Sequence, residues 1–346
     1  MAMKITVLIV AYNEETYLPR MLEDLKKQTY PHEKIEVIFV DSASDDGTRQ
    51  VMEAFSSEWG WSDVRILENP KRRLSVGCNI GLKDFLAERE IPSEALVRID
   101  AHARIPEDFI EACVRTLEDE QIVGGPRPTV CESEGAWGRT LWMAEESMFG
   151  SSVSSARRET GDKKTYVKAA FHTCLRREVF ETCGLFREDL GRTEDNEFFY
   201  RLGKNGYKVC RSPEIYSEQY IRPTFRKMLK QKAGNGYWVG RTLGIVPGCI
   251  SLYHLVPLAF LLALVTSGVL AICGFFWCLQ LLSALYVSVA VLMAVYAAFS
   301  LQREGEKVPI PALLLPGIFF CLHIGYGIGT LIGVLSIPFG RGKQNE

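Results

Sequence analysis

The chain contains 346 residues, of which 47% are hydrophobic and 24% charged, and its mean hydropathy is +0.02. This composition excludes a disordered, collagen-like or small disulfide-stapled protein. The net charge of −2 disfavours a nucleic-acid binder, because such proteins usually carry a basic excess. The ten cysteines form no Cys-x-x-Cys pair, which indicates reduced thiols and neither a disulfide framework nor a zinc site.

Short apolar runs rich in β-branched residues alternate with amphipathic segments over residues 1–210. The pattern predicts strands at residues 5–10, 35–40, 64–67 and 96–99, and helices at 16–27, 48–55 and 79–90. Continuous apolar strands joined by helices are typical of a mostly parallel sheet covered on both faces, an α/β architecture. Ligands of such sheets bind beyond the carboxyl ends of the strands, so the polar residues there are candidate site residues.

Three of these strand ends carry acidic and polar residues. The candidates that follow the first, second and fourth strands are Ala11, Tyr12, Asn13, Glu14, Asp41, Ser44, Asp100 and His102. Each group alone could be ordinary turn or helix-cap chemistry. Together they predict a polar site at one edge of the sheet. No Gly-x-Gly-x-x-Gly follows the first strand, which disfavours a dinucleotide site.

Asp100 and His102 are candidate metal ligands. A carboxylate with one imidazole suits Mn²⁺ or Mg²⁺ better than zinc, and so few protein ligands leave coordination positions for substrate phosphates. The alternative is that His102 is a structural loop residue.

Glu194 and Asp195 follow a predicted helix cap at Thr193. Acids in the first turn of a helix are stabilised by its dipole, which alone accounts for them. A carboxylate held at a helix start is also a well-positioned general base. Local sequence leaves both interpretations open.

The C-terminal part is predicted to be a membrane domain. Residues 242–302 form 61 consecutive positions without Asp, Glu, Lys or Arg, whereas one helical span needs about 20. The predicted spans are 253–277, 281–301 and 309–338, with a tight turn at Gln280. The third segment either spans or re-enters. Its Gly325, Gly329 and Gly333, four residues apart, either permit close helix packing or reflect the abundance of glycine in membrane helices.

Lysines and arginines between residues 222 and 241 place the N-terminal domain in the cytoplasm by the positive-inside rule. The first ten residues lack a signal-peptide pattern. Aromatic residues interleave with the basic ones, so this stretch is either an amphipathic segment beside anionic lipid headgroups or a plain anchor. The expected domains are a catalytic domain at 1–220, a basic interfacial segment at 221–250 and a transmembrane domain at 251–340.

These motifs together resemble the family 2 inverting glycosyltransferases, which have the GT-A fold. Residues 9–15 resemble the donor-binding opening, 41–48 the nucleoside loop, 100–102 the Asp-x-Asp metal motif and 193–195 the Glu-Asp motif. The closest resemblance is to succinoglycan-type exopolysaccharide enzymes, which share Asp-x-His, Gly-Gly-Pro as at 124–126, Arg-Arg-Glu-Val-Phe as at 176–180, and a C-terminal membrane segment. The resemblance covers about residues 3–245.

The resemblance implies roles for particular residues. Asp195 would be the acceptor-side base beside Glu194, and Asp100 with His102 would hold Mn²⁺ or Mg²⁺. The implied donor-binding residues are Ala11, Tyr12, Asn13, Glu14, Asp41, Ser44, Asn79 and Asp100. Gln231, Tyr237 and Trp238 stand near the family's Gln-x-x-Arg-Trp on the acceptor or membrane side, but the arginine is missing, which disfavours processive polymerisation.

The resulting hypothesis is an inverting, metal-dependent transferase in a bacterial or archaeal inner membrane. It would move a sugar from a nucleotide-sugar, by resemblance a UDP-sugar, to a polyprenyl-diphosphate-linked saccharide during exopolysaccharide or related glycan assembly. Membrane lipids and other polysaccharide-assembly proteins are further expected partners. Two alternatives remain: a polyprenyl-phosphate sugar synthase, and an inactive membrane partner of an assembly complex.

Overall fold

A computed structural model describes residues 2–58, 60–131, 135–150, 163–220, 224–303, 305 and 307–340. The chain divides into two compact units. The sheet unit comprises Met1–Pro128 with Ser155–Gln219, and the helical unit comprises Thr129–Ser154 with Tyr220–Glu346.

The chain forms eleven described strands, numbered in chain order. They are β1 (Ile5–Ala11), β2 (Ile35–Asp41), β3 (Asp63–Glu68), β4 (Ala95–Arg98), β5 (Ala103–Arg104), β6 (Ile122–Gly125), β7 (Thr129–Val130), β8 (Thr165–Val167), β9 (Phe171–Arg176), β10 (Val209–Arg211) and β11 (Glu218–Tyr220).

The α-helices of the described chain are numbered in the same way. They are α1 (Leu18–Lys26), α2 (Thr48–Ser56), α3 (Leu74–Leu86), α4 (Phe109–Leu117), α5 (Ala136–Glu146), α6 (Arg177–Cys183), α7 (Glu194–Lys204), α8 (Phe225–Thr242), α9 (Val256–Ile272), α10 (Phe276–Arg303), α11 (Leu315–Leu335) and α12 (Ile337–Gly340).

The main sheet of the sheet unit has eight strands in the order β3-β2-β1-β4-β9-β6-β10-β8. The four predicted strands are confirmed and are parallel, with β1 pairing with both β2 and β4. Beyond β4 the sheet is mixed, because β9 is antiparallel to both of its neighbours. The carboxyl ends of β1, β2, β3 and β4 therefore meet at one edge, as the predicted site requires.

Both faces of this sheet are covered, as predicted. Along β1, Ile5, Val7 and Ile9 pack in one core with residues of α1, α2 and α4, whereas Leu8 packs in a second core with α3, α6 and α7. Alternate residues of a strand point to opposite faces, so one buried strand contributes to both cores. Burying each large aliphatic side chain contributes roughly 1.5–3 kcal/mol.

Helix α3 begins five residues before its predicted start and ends four residues before its predicted end. Its glycines lower the intrinsic helix propensity of its first turns, so the local sequence pattern does not predict that these turns are helical. They are required for packing, because a Cβ on Gly77 would lie 2.6 Å from Val10 Cγ1 and one on Gly81 would lie 2.3 Å from Leu8 Cδ1. Pro92 disfavours helical backbone just before it, consistent with the early end.

In the helical unit, three helical segments are long and apolar enough to cross a bilayer: Leu252–Ile272, Phe276–Arg303 and Ile310–Leu335. The turn predicted at Gln280 is wrong, since Gln280 lies inside α10. The chain instead turns between α9 and α10 at Gly274, whose φ is +97°. A residue in left-handed conformation commonly ends a helix, and glycine adopts it without steric cost.

Helix α8 packs directly along α11. A Cβ on Gly329 would lie 2.1 Å from the Ala233 carbonyl oxygen, and one on Gly333 would lie 2.1 Å from that of Tyr237. The close-packing interpretation of these glycines is therefore confirmed, although their partner is the basic segment and not another apolar span. Gly236 and Gly240 of α8 likewise lie against the backbone of α11. Because glycine has no side chain, these positions on both helices let the two backbones come close together.

Candidate active site

The loops after β1 and β2 form one hydrogen-bonded wall of the candidate site. The Asp41 carboxylate accepts a hydrogen bond from the Ser44 amide at 3.1 Å, and Ser44 Oγ accepts one from the Asn13 amide at 3.1 Å. The carbonyl of Ala11 accepts from the Ser42 amide at 2.9 Å. The predicted residues of these two loops therefore lie together.

Arg72, in the loop after β3, extends this wall. Its guanidinium lies 5.2 Å from the centre of the exposed Tyr12 ring, and its Nη2 donates to the Ala43 carbonyl at 2.7 Å. An aromatic ring beside a fixed cation can contact both a flat nucleobase and an anionic phosphate. Arg72 was not anticipated from the sequence.

Backbone strain is concentrated at this edge of the sheet. Within the described part of the chain, the non-glycine residues with positive φ are Asn13 (55°), Ala43 (54°), Arg72 (54°) and His172 (43°). Each such conformation costs of order 1–3 kcal/mol and persists where the surrounding structure enforces it, often at functional sites. Asn13 and Ala43 lie after the first and second strands, where the sequence predicted site residues, whereas Arg72 and His172 lie outside those predictions.

Asp195 lies at the start of α7 and is held by Arg98, the last residue of β4. The Arg98 Nη1 and Nη2 atoms lie 3.1 and 3.3 Å from the two carboxylate oxygens, so the ion pair is bidentate. Burial alone would lower the pKa of Arg98, but the Asp195 charge raises it well above its usual range. Two parallel hydrogen bonds fix the plane of the Asp195 carboxylate, whose side chain remains 35% exposed.

Asp100 carries a second, separate set of partners. Its Oδ2 lies 2.9 Å from Nη1 of Arg127 and 3.4 Å from Nε2 of His172. Burial would raise the pKa of Asp100, but His172, Arg98 and Arg127 together hold it well below its usual range. Burial, in turn, lowers the pKa of His172. The Asp100 carboxylate is therefore anionic and His172 neutral near pH 7.

His102 is oriented by partners on both ring nitrogens. Nδ1 lies 3.0 Å from Glu14 Oε1, and Nε2 lies 2.9 Å from the amide nitrogen of Gln219. With the amide in this orientation, its NH₂ group only donates, so Nε2 accepts and the imidazole proton lies on Nδ1, facing the carboxylate. A carboxylate that orients the far nitrogen of an imidazole is the usual arrangement behind a metal-binding histidine.

These residues fit a divalent ion only in part. Within the described ranges, no three His, Cys, Asp or Glu side chains converge as a metal site. Asp100 and the Nε2 atom of His102 could supply two ligands, the latter after displacement of the Gln219 amide. Such a pair fits an ion that takes its remaining ligands from substrate phosphates and water, and does not fit a caged structural ion.

Glu194 lies beside Asp195 but in a different environment. It is buried, and among the described residues its Oε2 has no hydrogen-bond partner. Burial, and then the charge of Asp195, raise the pKa of Glu194 to about 7. The two adjacent acids thus differ: Asp195 is open and held by a cation, whereas Glu194 is enclosed and retains a proton to near-neutral pH.

Other predicted site residues lie elsewhere. The side-chain amide of Asn79 in α3 bonds both backbone groups of Phe186 at 2.9 Å and Glu188 Oε1 at 3.0 Å, so it tethers the segment before α7. Gln231, Tyr237 and Trp238 all lie in α8 of the helical unit, where the two aromatic rings meet edge to face at 5.6 Å.

Sequence reasoning missed the residues that hold the predicted carboxylates and imidazole: Arg98, Arg127, His172 and Gln219. Arg98 had a local signal, because it lies two residues before Asp100 on an extended strand and so shares its face. The other three come from distant segments, and no local pattern identifies them.

Both the sequence and the fold of the chain resemble those of known proteins. Residues 6–184 match the sequence model of Glycosyl transferase family 2. A dolichyl N-acetyl-alpha-D-glucosaminyl phosphate 3-beta-D-2,3-diacetamido-2,3-dideoxy-beta-D-glucuronosyltransferase from Methanococcus voltae is 26% identical over 342 residues, which cover 93% of this chain and 95% of that protein. The succinoglycan biosynthesis protein ExoA of Rhizobium meliloti (strain 1021) is 29% identical over 235 residues, covering 66% and 67%.

Among solved structures, the mannosyltransferase PcManGT from Pyrobaculum calidifontis, in complex with GDP-Man and Mn²⁺, superposes with a TM-score of 0.59 at 18% identity. The match covers 95% of this chain and 87% of that one. This likeness concerns the fold, and it confirms the predicted GT-A architecture followed by a helical region.

Proposed function

The chain belongs to Glycosyl transferase family 2, and on this premise we propose that it transfers a sugar from a nucleotide-sugar to a saccharide already carried by a polyprenyl phosphate or diphosphate lipid. It is a membrane-associated glycosyltransferase with three helices of membrane-spanning length. We propose the identity of the donor and of the acceptor, the use of a divalent metal and inversion of the anomeric configuration.

The arrangement of two carboxylates around β4 carries the proposal. Asp195 and Asp100 pair with different cations, Asp195 with Arg98 and Asp100 with Arg127. A single inverting displacement needs a base on the acceptor side and a cationic or metal-assisted site for the leaving diphosphate. The half-open Asp195 suits the first role, and Asp100 with its neighbours suits the second.

The chain's own residues would act as follows. The Asp195 carboxylate would accept the proton of the acceptor hydroxyl while Arg98 keeps its orientation. Tyr12, Arg72 and the Asp41–Ser44 wall would bind the nucleoside and its phosphates. A positioned general base contributes typically 10²–10⁴-fold to rate.

Asp100 and His102 would hold the divalent ion, with Glu14 keeping the His102 tautomer that presents Nε2. When bound, Mn²⁺ or Mg²⁺ would neutralise charge on the leaving diphosphate. Support for Mn²⁺ comes from the Pyrobaculum calidifontis mannosyltransferase, whose structure contains that ion together with GDP-Man.

The acceptor assignment is supported by a relative. The Methanococcus voltae protein is named for transfer onto a sugar that a dolichyl phosphate already carries. In the alternative reaction, a polyprenyl-phosphate sugar synthase, the nucleophile is a lipid phosphate that is already ionised. The two reactions differ in their need for a base, so Asp195→Asn should abolish transfer to a saccharide hydroxyl but leave substantial transfer to a lipid phosphate.

We further propose that α9 and α10 cross the bilayer and that α11 lies with α8 at its cytoplasmic face. A Cβ on Gly327, midway along α11, would lie 2.6 Å from the carbonyl oxygen of Pro257, in the first turn of α9. The middle of α11 thus meets α9 near the start of that helix and not at its centre. Helix α8, whose exposed residues include Arg226, Lys227 and Lys230, runs alongside the same part of α11.

This topology puts the end of α11 on the cytoplasmic side, and the sequence after α11 contains Arg341 and Lys343, in agreement with the positive-inside rule. Fusions at the C-terminus distinguish the two topologies. We expect a fused green fluorescent protein to fluoresce and fused alkaline phosphatase to be inactive. The reverse pattern would mean that α11 crosses.

The function is tested with the full-length protein in lipid vesicles, supplied with a panel of UDP- and GDP-sugars, Mn²⁺ or Mg²⁺, and polyprenyl-linked mono- and disaccharides. We expect nucleotide release that depends on one donor and one lipid-linked saccharide, with an extended lipid product. Nucleotide release with polyprenyl phosphate alone would favour the synthase. Failure with every combination would favour an inactive assembly partner.

A further inference from the structure

A cavity of about 460 Å³ lies within the helical unit. Its walls come from the segment after α5, from α8, and from α9, α10 and α11, and they include the aromatic rings of Phe149, Phe260, Tyr286 and Tyr326. The Phe260 and Tyr286 rings are stacked with centroids 4.5 Å apart. The volume falls within the range of small-molecule binding pockets.

The polar groups of the cavity wall are largely satisfied within the protein. His323 uses both ring nitrogens, Nε2 with the Phe149 carbonyl oxygen at 2.6 Å and Nδ1 with the Tyr286 hydroxyl at 3.0 Å. The Lys232 ammonium is paired with Glu145 at 3.1 Å. The cavity therefore presents ring faces and methylene groups and few unsatisfied donors or acceptors, which suits a hydrocarbon better than a hydrophilic ligand.

The helices around the cavity are exposed along faces that suit a bilayer. Leu262, Val265 and Val269 of α9, and Leu285 and Leu292 of α10, are each between 48% and 66% exposed. Met293, next to Leu292 in the chain, lines the cavity. The same helices, α9 and α10, thus carry both the exposed apolar residues that suit a bilayer and part of the cavity wall.

We propose that this cavity binds the isoprenoid chain of the acceptor lipid, close to the end that carries the saccharide. The proposal rests on the proposed function, which requires a lipid-linked acceptor. The aromatic walls suit a chain with a methyl branch and a double bond in every unit, because branched and unsaturated carbons pack well against ring faces.

The test compares two substitutions on neighbouring residues of α10. Met293→Trp fills the cavity, whereas Leu292→Trp places the same indole on the exposed face. Each is assayed as full-length protein in vesicles, with the same saccharide on a long polyprenyl chain or on a short water-soluble chain. Displacing two or three methylene groups from contact corresponds to about a tenfold loss of affinity.

We expect Met293→Trp to raise KM for the long-chain acceptor about tenfold relative to Leu292→Trp, and to change KM for the short-chain acceptor far less. Equal values for the two variants with the long-chain acceptor would overturn the proposal, as would equal losses for both acceptors.

A binding measurement that needs no sugar transfer complements the assay. A polyprenyl phosphate carrying a photoreactive diazirine on its first isoprene units should label residues 286–293 or 322–326 of the wild-type protein. Unlabelled polyprenyl phosphate should compete, and phosphatidylglycerol should not. Absence of labelling there, or equal competition by the phospholipid, would show that the cavity is not an isoprenoid site.

The two measurements separate this inference from the proposed function. Transfer to the lipid-linked saccharide without labelling of the cavity would contradict the inference alone. Labelling of the cavity without transfer from any nucleotide-sugar would contradict the proposed function and leave the isoprenoid site standing.

Discussion

The two units of the molecule each contain a close carboxylate–cation pair, and the two pairs differ mainly in exposure. In the sheet unit, the side chains of Arg98 and Asp195 are 20% and 35% exposed. In the helical unit, Lys232 and Glu145 lie 3.1 Å apart with side chains only 7% and 8% exposed. One ion pair thus lies at the partly open edge of the sheet, and the other is buried inside the helical unit.

Exposure determines what each pair can do. A partly open carboxylate can accept a hydrogen bond from a substrate hydroxyl while its cation stays in place, because part of the carboxylate still faces water. A buried pair has lost that solvation, and separating it leaves a charge in a low-dielectric interior. We therefore expect the Arg98–Asp195 pair to take part in catalysis and the Lys232–Glu145 pair to stabilise the packing of α5 against α8.

The largest expected effect comes from breaking the buried pair. Lys232→Met leaves Glu145 without its ammonium partner, and removing one partner of a buried pair typically costs 3–5 kcal/mol. We expect thermal unfolding in detergent to occur several degrees lower. Glu145→Leu combined with Lys232→Met removes both charges and should recover most of the loss. A double variant as unstable as the single one would refute the interior role.

Breaking the open pair should instead reduce the rate. Arg98→Met removes the bidentate support of Asp195, and we expect kcat to fall about a hundredfold with little change in the donor KM. Arg98→Lys should recover part of the rate. The matched control is Arg187→Met, because Arg187 and Asp189 form a similarly exposed pair at 2.7 Å. If Arg98→Met lowered stability as much as Lys232→Met and left kcat unchanged, the Arg98–Asp195 pair would have a structural role and not a catalytic one.

The smallest effect concerns Glu194, the buried neighbour of the open pair. Its pKa rises from 4.5 to about 7 on folding, so the unfolded chain ionises first as pH increases. Below pH 4.5 the carboxyl is protonated in both states and the free energy of unfolding is unaffected. As pH rises from 4.5 through 7, the unfolded chain ionises more readily and the free energy of unfolding falls. Glu194→Gln removes this loss and should stabilise the protein by up to about 3 kcal/mol at pH 8 and hardly at pH 4.5.

Thermal unfolding at the two pH values measures this difference. The control is Glu178→Gln, at an exposed position in the first turn of α6. An equal effect at both pH values, or an equal effect in the control, would show that Glu194 is not held protonated by its surroundings.

Local sequence was sufficient for most of the sheet unit's first half. β1, β2 and the acidic strand ends follow from runs of apolar residues and the polar residues that end them, and the family follows from motifs in order. Helix α3 was displaced in the prediction, because its glycines are selected by contact with Leu8 and Val10 of β1 and not by helix propensity.

The partners of the site residues required the tertiary structure. Arg127, His172 and Gln219 reach Asp100 and His102 from segments 27 to 117 residues away, so no periodicity connects them. In the helical unit, the turn was predicted at Gln280 and lies at Gly274. The apolar run has a uniform composition there, so only the backbone geometry marks the turn.

The sequence by itself determined the family, the acids at the strand ends and the presence of an apolar membrane region. These depend on composition and on short-range periodicity, which each segment carries alone. The tertiary structure decided which cation holds which carboxylate, that Lys232 is enclosed, and that the glycines of α11 meet α8. Those features depend on contacts between distant segments and on the exclusion of water, and both exist only once the chain has folded.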